Sequence, residues 1–281
     1  MRVSFLNGDF INHEDAYVHI DDRGMLFADG VYEVTLFANG KLIDNDWHLE
    51  RLNNSLSKIG INNLQYTHEE LTKFALELFA KNNIITGSIY LQVTRGVAPR
   101  NQLIPQNISP TVIMTVSAMV LPSLSGLEKP NKAKLEADLR WQMCDVKSTG
   151  LLVGSLLKQK AADSGYDDAI LIRDRFITEC TFSNLFIVDH ENNLITRSLD
   201  NFVLPGITRR RIIEIAKLAN INVIEKVFDT DELLQAKEVF SSSTTLFIRP
   251  FVMVNDKKIG DGMVGEITKS LFVAYLDFVN K

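Results

Sequence analysis

Apolar side chains recur along the chain with two different periods. Positions three and four residues apart predict helices, and these cover residues 44–59, the stretch after Thr67, 151–162, 208–219 and 264–279. Alternating or β-branched runs predict strands, and these cover residues 2–6, 16–20, 31–37, 88–95, 111–119, 134–139, 169–172, 176–178, 185–188, 223–228, 238–241 and 247–254. Because both kinds of element are interspersed throughout, the pattern predicts an α+β fold with mixed or mainly antiparallel sheets.

A change of composition between residues 121 and 130 interrupts this pattern. Pro122 and Pro130 flank a segment that contains serine and glycine, a composition typical of a connection between domains. We therefore expect a small N-terminal α/β domain over residues 1–120, a linker over 121–130, and a larger C-terminal domain over 131–281.

The composition excludes several classes of protein. Of the 281 residues, 46% are hydrophobic and 23% are charged, as in ordinary globular proteins, and the net charge of −5 disfavours a nucleic-acid partner. Cys144 and Cys180 lack the spacing of a zinc site or a disulfide framework. The N-terminus does not have the pattern of a signal peptide, and no apolar run is long enough to span a bilayer. We expect a cytoplasmic protein with no metal and no membrane or nucleic-acid partner.

Lys147 lies where a predicted strand gives way to a predicted helix, among small residues. A side chain at such a crossing can enter a cleft, and partial burial converts lysine into a neutral amine nucleophile more readily than other basic residues. A lone lysine in a loop is nevertheless most often solvated. The position of Lys147 alone therefore does not identify a site.

Three further stretches have chemistry that a site could use. Pro205 and Gly206 predict a tight turn, with Thr208 as N-cap of the next helix, whose free N–H groups could hold a phosphate. Arginines at 209–211 are unusual in a first helical turn, and a bound anion would relieve them. Glu179 lies among small and apolar residues, so it needs a partner if buried, and residues 241–245 are all hydroxyl-bearing. Each stretch alone is compatible with an ordinary surface or turn.

The order and spacing of these stretches carry more information than any one of them. The chain resembles the class IV (fold-type IV) pyridoxal-phosphate-dependent aminotransferases, and among them the D-amino-acid aminotransferases. The matching segments run from near the N-terminus to the last helix and include residues 28–34, 48–52, 93–96, 144–148, 178–179, 183–184, 206–209 and 243–245. The resemblance implies a two-domain fold and pyridoxal 5'-phosphate as cofactor.

The resemblance also implies a role for each candidate residue. Lys147 would be the Schiff-base lysine and proton shuttle, and Glu179 would pair with the pyridine nitrogen. Leu204 would pack on the cofactor ring. The phosphate would be bound by Arg51, Gly206, Ile207, Thr208, Ser243 and Thr244. The reaction would be a two-half, ping-pong transamination between a D-amino acid of the D-alanine or D-glutamate type and a 2-oxo acid.

Substrate choice rests on fewer matches. Tyr32 and Arg100 match residues that grip the substrate carboxylate in the D-amino-acid enzymes, and Arg100 would come from a neighbouring subunit of a homodimer. Gln102 stands where those enzymes have histidine, and Leu36 where they have a strand lysine. These departures leave open a branched-chain L-amino-acid aminotransferase or an aminodeoxychorismate lyase. A non-catalytic protein that binds the cofactor is a further alternative.

Overall fold

The structure, a computed structural model, describes residues 2–281. Its α-helices are α1 (Arg23–Phe27), α2 (Asn45–Lys58), α3 (His68–Lys81), α4 (Leu124–Leu127), α5 (Leu152–Asp163), α6 (Ile207–Leu218), α7 (Thr230–Gln235) and α8 (Glu266–Asn280). Its strands are β1 (Val3–Leu6), β2 (Asp9–Asn12), β3 (Gly30–Ala38), β4 (Lys41–Leu42), β5 (Gly87–Thr94), β6 (Thr111–Ala118), β7 (Lys132–Ala137), β8 (Asp168–Arg173), β9 (Phe176–Cys180), β10 (Asn184–Val188), β11 (Leu194–Thr196), β12 (Val223–Glu225), β13 (Glu238–Ser243), β14 (Phe247–Pro250), β15 (Met253–Val254) and β16 (Lys257–Lys258). None of the helices in this part of the chain is long and apolar enough to cross a membrane.

The chain divides into two compact units. The first runs to Leu121 and also takes in Val146–Gly150, the segment that contains Lys147. The second comprises Pro122–Asp145 and Leu151–Lys281. The candidate lysine thus belongs to the first unit, although the sequence on both sides of its segment belongs to the second.

The first unit is built on one antiparallel sheet of six strands in the order β2-β1-β6-β5-β3-β4. The amphipathic helices α2 and α3 contribute apolar side chains such as Leu52 and Leu78 to its core, and both side chains are fully buried. Helix α3 begins with a capping box, in which Thr67 and Glu70 are reciprocal partners. Both helices cover the residues for which the period of apolar side chains predicted a helix.

The second unit contains two mixed sheets of five strands each. One has the order β12-β11-β10-β13-β14 and the other β16-β15-β7-β8-β9, and each combines parallel with antiparallel pairs. Helix α5 packs on β7 and β8, while α6 and α8 contact each other and β13. The predicted α+β fold with mixed and antiparallel sheets is confirmed.

Two predicted strands are wrong in detail. Residues 16–20 form no strand, and Tyr17 and Ile20 are 78% and 71% exposed, because the chain leaves the sheet after β2 through a short 3-10 turn at His13–Asp15. The strand predicted over 247–254 is divided after Pro250, since proline cannot donate a ladder hydrogen bond, and β15 joins the other sheet. The apolar pattern alone does not show where a strand finds its partner.

Candidate active site

The Lys147 segment is attached to the first half of β3. The amide of Tyr32 donates to the carbonyl of Lys147 at 2.9 Å, and the amide of Thr149 donates to the carbonyl of Gly30 at 3.0 Å. Within helix α2, the hydroxyl of Ser55 accepts from the amide of Lys147 at 3.2 Å. These bonds fix the backbone on both sides of the lysine, so its half-buried side chain starts from a defined position.

The Lys147 ammonium lies over an aromatic ring. Its Nζ is 4.2 Å from the centroid of the Tyr32 ring, a cation–π distance. The Tyr32 ring is stacked on Tyr90 with 5.4 Å between centroids, and the Tyr90 hydroxyl donates to Gln92 at 2.6 Å. Burial raises the pKa of Tyr90 to about 12, so this hydroxyl stays a donor at neutral pH. Lys147 and Tyr32, both predicted site residues, are therefore neighbours.

On the opposite face of β3, Glu33 joins two basic side chains of α2. Its carboxylate accepts from Nε and Nη2 of Arg51 at 2.8 and 2.7 Å, and its Oε2 lies 2.7 Å from Nδ1 of His48. All three side chains are buried. Tyr32 and Glu33 point to opposite faces because successive strand residues alternate. The predicted phosphate ligand Arg51 is thus held rigidly by a carboxylate.

The charges of this cluster depend on one another. Burial acts to raise the pKa of Glu33, but the charge and hydrogen bonds of Arg51, with those of His48, lower it to about 2. Burial lowers the pKa of His48, against the opposing effect of Glu33 and with help from the positive charges of Arg51 and Lys147. Glu33 is therefore ionised across the physiological range and holds Arg51 in one orientation.

In the second unit, Glu179 lies near the end of β9 and is 4% exposed. Its Oε1 accepts from Nη1 of Arg140 at 2.6 Å, and its Oε2 accepts from the side-chain amide of Asn184 at 2.9 Å. The amide of Leu204 also points at the carboxylate, 3.4 and 3.3 Å from its two oxygens. The sequence argument that a buried Glu179 needs cationic and N–H partners agrees with this geometry.

Arg140 divides its charge between two carboxylates. Its Nε and Nη2 donate to Asp138, each at 2.9 Å, while Nη1 donates to Glu179. Burial acts to raise the pKa of Asp138, but Arg140 lowers it. Burial raises the pKa of Glu179, against the opposing effect of Arg140. Glu179 is therefore a carboxylate that a further positive partner would stabilise in its charged form.

The turn before α6 is fitted closely to Asn184. The side-chain amide of Asn184 donates to the carbonyl of Leu204 at 2.8 Å, and a Cβ placed on Gly206 would lie 1.9 Å from Oδ1 of Asn184. Glycine is thus required at 206 by space. Helix α6 begins at Ile207 with Gly206 as its N-cap, so the expected N-cap role of Thr208 is wrong. Thr208 is instead a buried residue of the first turn.

The start of α6 has no cap of its own. No side chain caps its first N–H groups, and its first turn has no acidic residue, whereas α3 has both a capping box and acidic residues there. The arginines that suggested an anion have other partners: Arg209 donates to Glu225 and to the carbonyl of Arg197, and Arg211 pairs with Glu214. The helix start, and not the arginine side chains, is what could hold an anion.

The hydroxyl-bearing residues 241–245 lie at the end of β13, the strand that pairs with β10. Asn184, the first residue of β10, is directly opposite Ser242 in the antiparallel register. Ser243 and Thr244 therefore continue past the N-terminal end of β10. Ser243 and Thr244 are half-buried, while Ser242 Oγ is buried without a hydrogen-bond partner. Asn184 thus connects Glu179, the Leu204–Gly206 turn and the hydroxyl run.

The remaining predicted residues lie in the loop between β5 and β6. Arg100 and Gln102 are both exposed, and the Arg100 guanidinium lies 5.5 Å from the centroid of the Phe27 ring. Leu36 stands at the position for which the resemblance to the D-amino-acid enzymes implies a lysine. It is 1% exposed within β3. The structure places Arg100 against Phe27 and places Tyr32 beside Lys147.

Reasoning from the sequence left out the residues that hold the predicted ones. Glu33 and His48 lie in matching segments, and His48 and Arg51 are three apart on one helix face, which is a usable signal for a shared partner. Arg140 is separated from Glu179 by 39 positions, and no local pattern links the two. Partners of this kind appear only when the strands are paired.

Comparison with known proteins identifies the family of the chain. The family model for amino-transferase class IV matches residues 30–254. A D-alanine aminotransferase of Listeria monocytogenes is 40% identical over 283 aligned residues, which cover 100% of this chain and 97% of the relative. A branched-chain amino acid aminotransferase of Escherichia coli superposes with a TM-score of 0.91 at 26% identity, over 99% of this chain and 94% of that one. The T.th. branched-chain amino acid aminotransferase, solved with pyridoxamine 5'-phosphate, superposes with a TM-score of 0.92 at 22% identity, over 99% and 94%.

The fold is that of an aminotransferase. The chain belongs to the class IV aminotransferases, since the family model covers most of its length and a relative aligned over the whole chain is 40% identical. Its fold is the fold-type IV architecture of the solved relatives.

The Glu33 cluster predicts a dependence of stability on acid. The pKa of Glu33 falls from 4.5 to about 2 on folding, so its pairing stabilises the protein above pH 4.5 and this contribution is lost as the pH falls toward 2. The loss should be about 3 kcal/mol in the free energy of unfolding. Glu33→Gln should be less stable at pH 7, because buried Arg51 loses its carboxylate partner. The variant should also show a flatter pH dependence of stability between these limits. Urea denaturation of both proteins at several pH values measures this, and equal slopes would contradict the account.

Proposed function

We propose that this chain transfers the amino group between a D-amino acid, of the D-alanine or D-glutamate type, and a 2-oxo acid, with pyridoxal 5'-phosphate as cofactor. The observation that carries the choice of substrate is the full-length relationship to a D-alanine aminotransferase at 40% identity. The branched-chain enzymes share the fold at lower identity. Branched-chain transamination and aminodeoxychorismate lyase activity are the two alternatives on this fold, and an assay with their substrates distinguishes them from D-amino-acid transamination.

The residues around the start of α6 suit a phosphate. The uncapped N–H groups of Ile207 and Thr208, which follow Gly206, favour an anion, and Ser243 and Thr244, at the end of the strand that pairs with Asn184, add hydroxyl donors. We assign the phosphate to these residues and to Arg51. Leu204, whose amide faces Glu179, is assigned to the ring face.

When bound, pyridoxal phosphate supplies an electron sink that stabilises negative charge at the substrate Cα. Glu179 is assigned to the pyridine nitrogen. Because burial raises its pKa in spite of Arg140, a protonated nitrogen would be a favourable partner for this carboxylate. Asn184 and the Leu204 amide orient the carboxylate oxygens, so Glu179 can hold that proton in place.

Lys147 is assigned the covalent link to the cofactor aldehyde and the transfer of the α-proton. Both tasks need a neutral amine. The backbone bonds to Tyr32 and Ser55 keep the Lys147 main chain fixed while its amine moves. Proton transfer by a positioned base of this kind contributes about 100-fold to 10,000-fold in rate.

The substrate carboxylate is assigned to Tyr32, Arg100 and Gln102. Tyr32 is fixed by its stack on Tyr90, and Arg100 supplies a permanent positive charge. Gln102 can donate a hydrogen bond but adds no charge, so Arg100 carries the electrostatic part of the binding. Leu36 is buried in the sheet and contributes no charge to substrate selection.

We further propose that the protein acts as a homodimer. Several large apolar side chains are exposed on the Arg100 loop and on the segment around α1, and exposed apolar surface of this kind often marks an interaction surface. They are Tyr17, Ile20, Met25, Leu103 and Ile104. A second copy that covers this surface would bring the Arg100 loop against the partner subunit, as the family resemblance implies.

The substrate assignment is tested by a comparison of amino donors. Purified protein with pyridoxal phosphate and 2-oxoglutarate is expected to form pyruvate from D-alanine, with little product from L-alanine or L-leucine. Aminodeoxychorismate serves as the test for lyase activity. Turnover of L-leucine or of aminodeoxychorismate without any pyruvate from D-alanine would overturn the assignment, and turnover of none of them would favour a non-catalytic protein.

The role of Glu179 predicts a separation of rate from cofactor binding. Glu179→Gln keeps the shape of the side chain but removes its charge, so kcat should fall about 100-fold or more. Cofactor retention after dialysis should change little, because the phosphate is assigned to other residues. The exposed Glu191→Gln is the matched control and should leave kcat unchanged. Equal kcat in the Glu179→Gln variant and wild type would exclude a role for this charge.

A further inference from the structure

The Arg100 loop, residues 95–110 between β5 and β6, is fastened to the segment that contains α1. The amide of Arg23 donates to the carbonyl of Gly96 at 3.0 Å, and the amide of Ala98 donates to the carbonyl of Asp21 at 3.3 Å. Farther along the loop, Nη1 of Arg23 donates to the carbonyl of Asn101 at 2.7 Å and lies 3.5 Å from that of Leu103. Arg23 thus reaches the backbone immediately after Arg100.

Arg23 is itself fixed in place. It is 4% exposed, and its Nε donates to Asp29 at 2.7 Å. Asp29 also accepts from Nε of Arg95 at 2.8 Å. Burial acts to raise the pKa of Asp29, but Arg95 and Arg23 lower it, so the carboxylate remains charged at neutral pH. A buried guanidinium with a charged partner is a rigid point of attachment for an exposed loop.

Phe27, the last residue of α1, lies against two guanidinium groups. The Arg23 group is 4.6 Å and the Arg100 group 5.5 Å from the centroid of its ring. The helix ends there because Ala28 adopts the left-handed conformation, with φ of 53°. The exposed Arg100 side chain therefore has a defined resting position, because an aromatic face attracts a guanidinium.

We propose that Arg23 and Phe27 are positioning residues that hold the Arg100 loop in the conformation in which Arg100 binds the substrate carboxylate. The proposal rests on the role assigned to Arg100 in the proposed function. Arg23 fixes the backbone after Arg100, and Phe27 orients the side chain. Neither residue touches the reacting atoms, so both act on substrate affinity and not on the chemical step.

The first test is the effect of Arg23→Gln on KM and kcat for D-alanine and 2-oxoglutarate. Loss of a charged hydrogen bond to the loop should raise KM about 10-fold for both substrates, which share the α-carboxylate, and leave kcat within about 2-fold. Phe27→Leu keeps the apolar bulk but removes the aromatic face, and it should raise KM about 3-fold. Arg175→Gln is the control, because Arg175 also donates to a carboxylate, that of Asp229, but lies outside the Arg100 loop and the Asp29 pairs.

A double-mutant cycle with Arg100→Leu separates positioning from general damage. If Arg23 acts through Arg100, Arg23→Gln should add no further rise in KM to the Arg100→Leu variant, and Phe27→Leu should likewise add none. Independent, multiplying effects would overturn the proposal, as would an unchanged KM in the Arg23→Gln protein. If Arg23→Gln does not fold, the same cycle with Phe27→Leu decides.

The cycle also distinguishes failure of the proposal from failure of the proposed function. If Arg100→Leu leaves the KM for both substrates unchanged, the role of Arg100 in binding the carboxylate is wrong, and the inference about Arg23 falls with it. If Arg100→Leu raises KM but Arg23→Gln and Phe27→Leu do not, the role of Arg100 stands and the positioning role alone is refuted. The Arg175→Gln protein should have an unchanged KM in every case.

Discussion

A buried carboxylate that must be paired with arginine constrains each unit of this chain. In the first unit Glu33 holds Arg51 and His48 on the face of β3 opposite Tyr32, and in the second Arg140 and Asn184 hold Glu179. An unpaired charge at either place would be strongly destabilising. The same pairing that stabilises each unit also orients the groups assigned to the cofactor, so stability and chemistry depend on the same contacts.

The two carboxylates differ in how completely they are neutralised. The pKa of Glu33 is lowered to about 2 by Arg51 and His48, against the effect of burial, which suits a structural anchor. Burial raises the pKa of Glu179 against the opposing effect of Arg140, which also donates to Asp138. An incompletely neutralised carboxylate is the one expected to recruit a further cation. The directions of the two pKa shifts thus distinguish Glu33, which holds Arg51 in place, from Glu179, which would pair with the cofactor.

The period of apolar residues predicted α2, α3 and most strands correctly, because those elements are amphipathic and bury one face. Residues 16–20 have the same alternation but no partner strand, and pairing is a property of the whole sheet. Lys147 and Glu179 were predicted as site residues from the order and spacing of motifs. Arg140 and the use of Gly206 as N-cap could not be found in this way, since both depend on which side chains folding brings together.

The central claim is that Lys147 bonds the cofactor. Purified protein incubated with pyridoxal phosphate, reduced with borohydride and digested is expected to carry the cofactor mass on the peptide that contains Lys147, with Lys158 and Lys160 of α5 as internal comparisons. The Lys147→Ala variant should carry no such modification. Modification of another lysine with Lys147 unmodified, or no modification of the wild-type protein, would contradict the account.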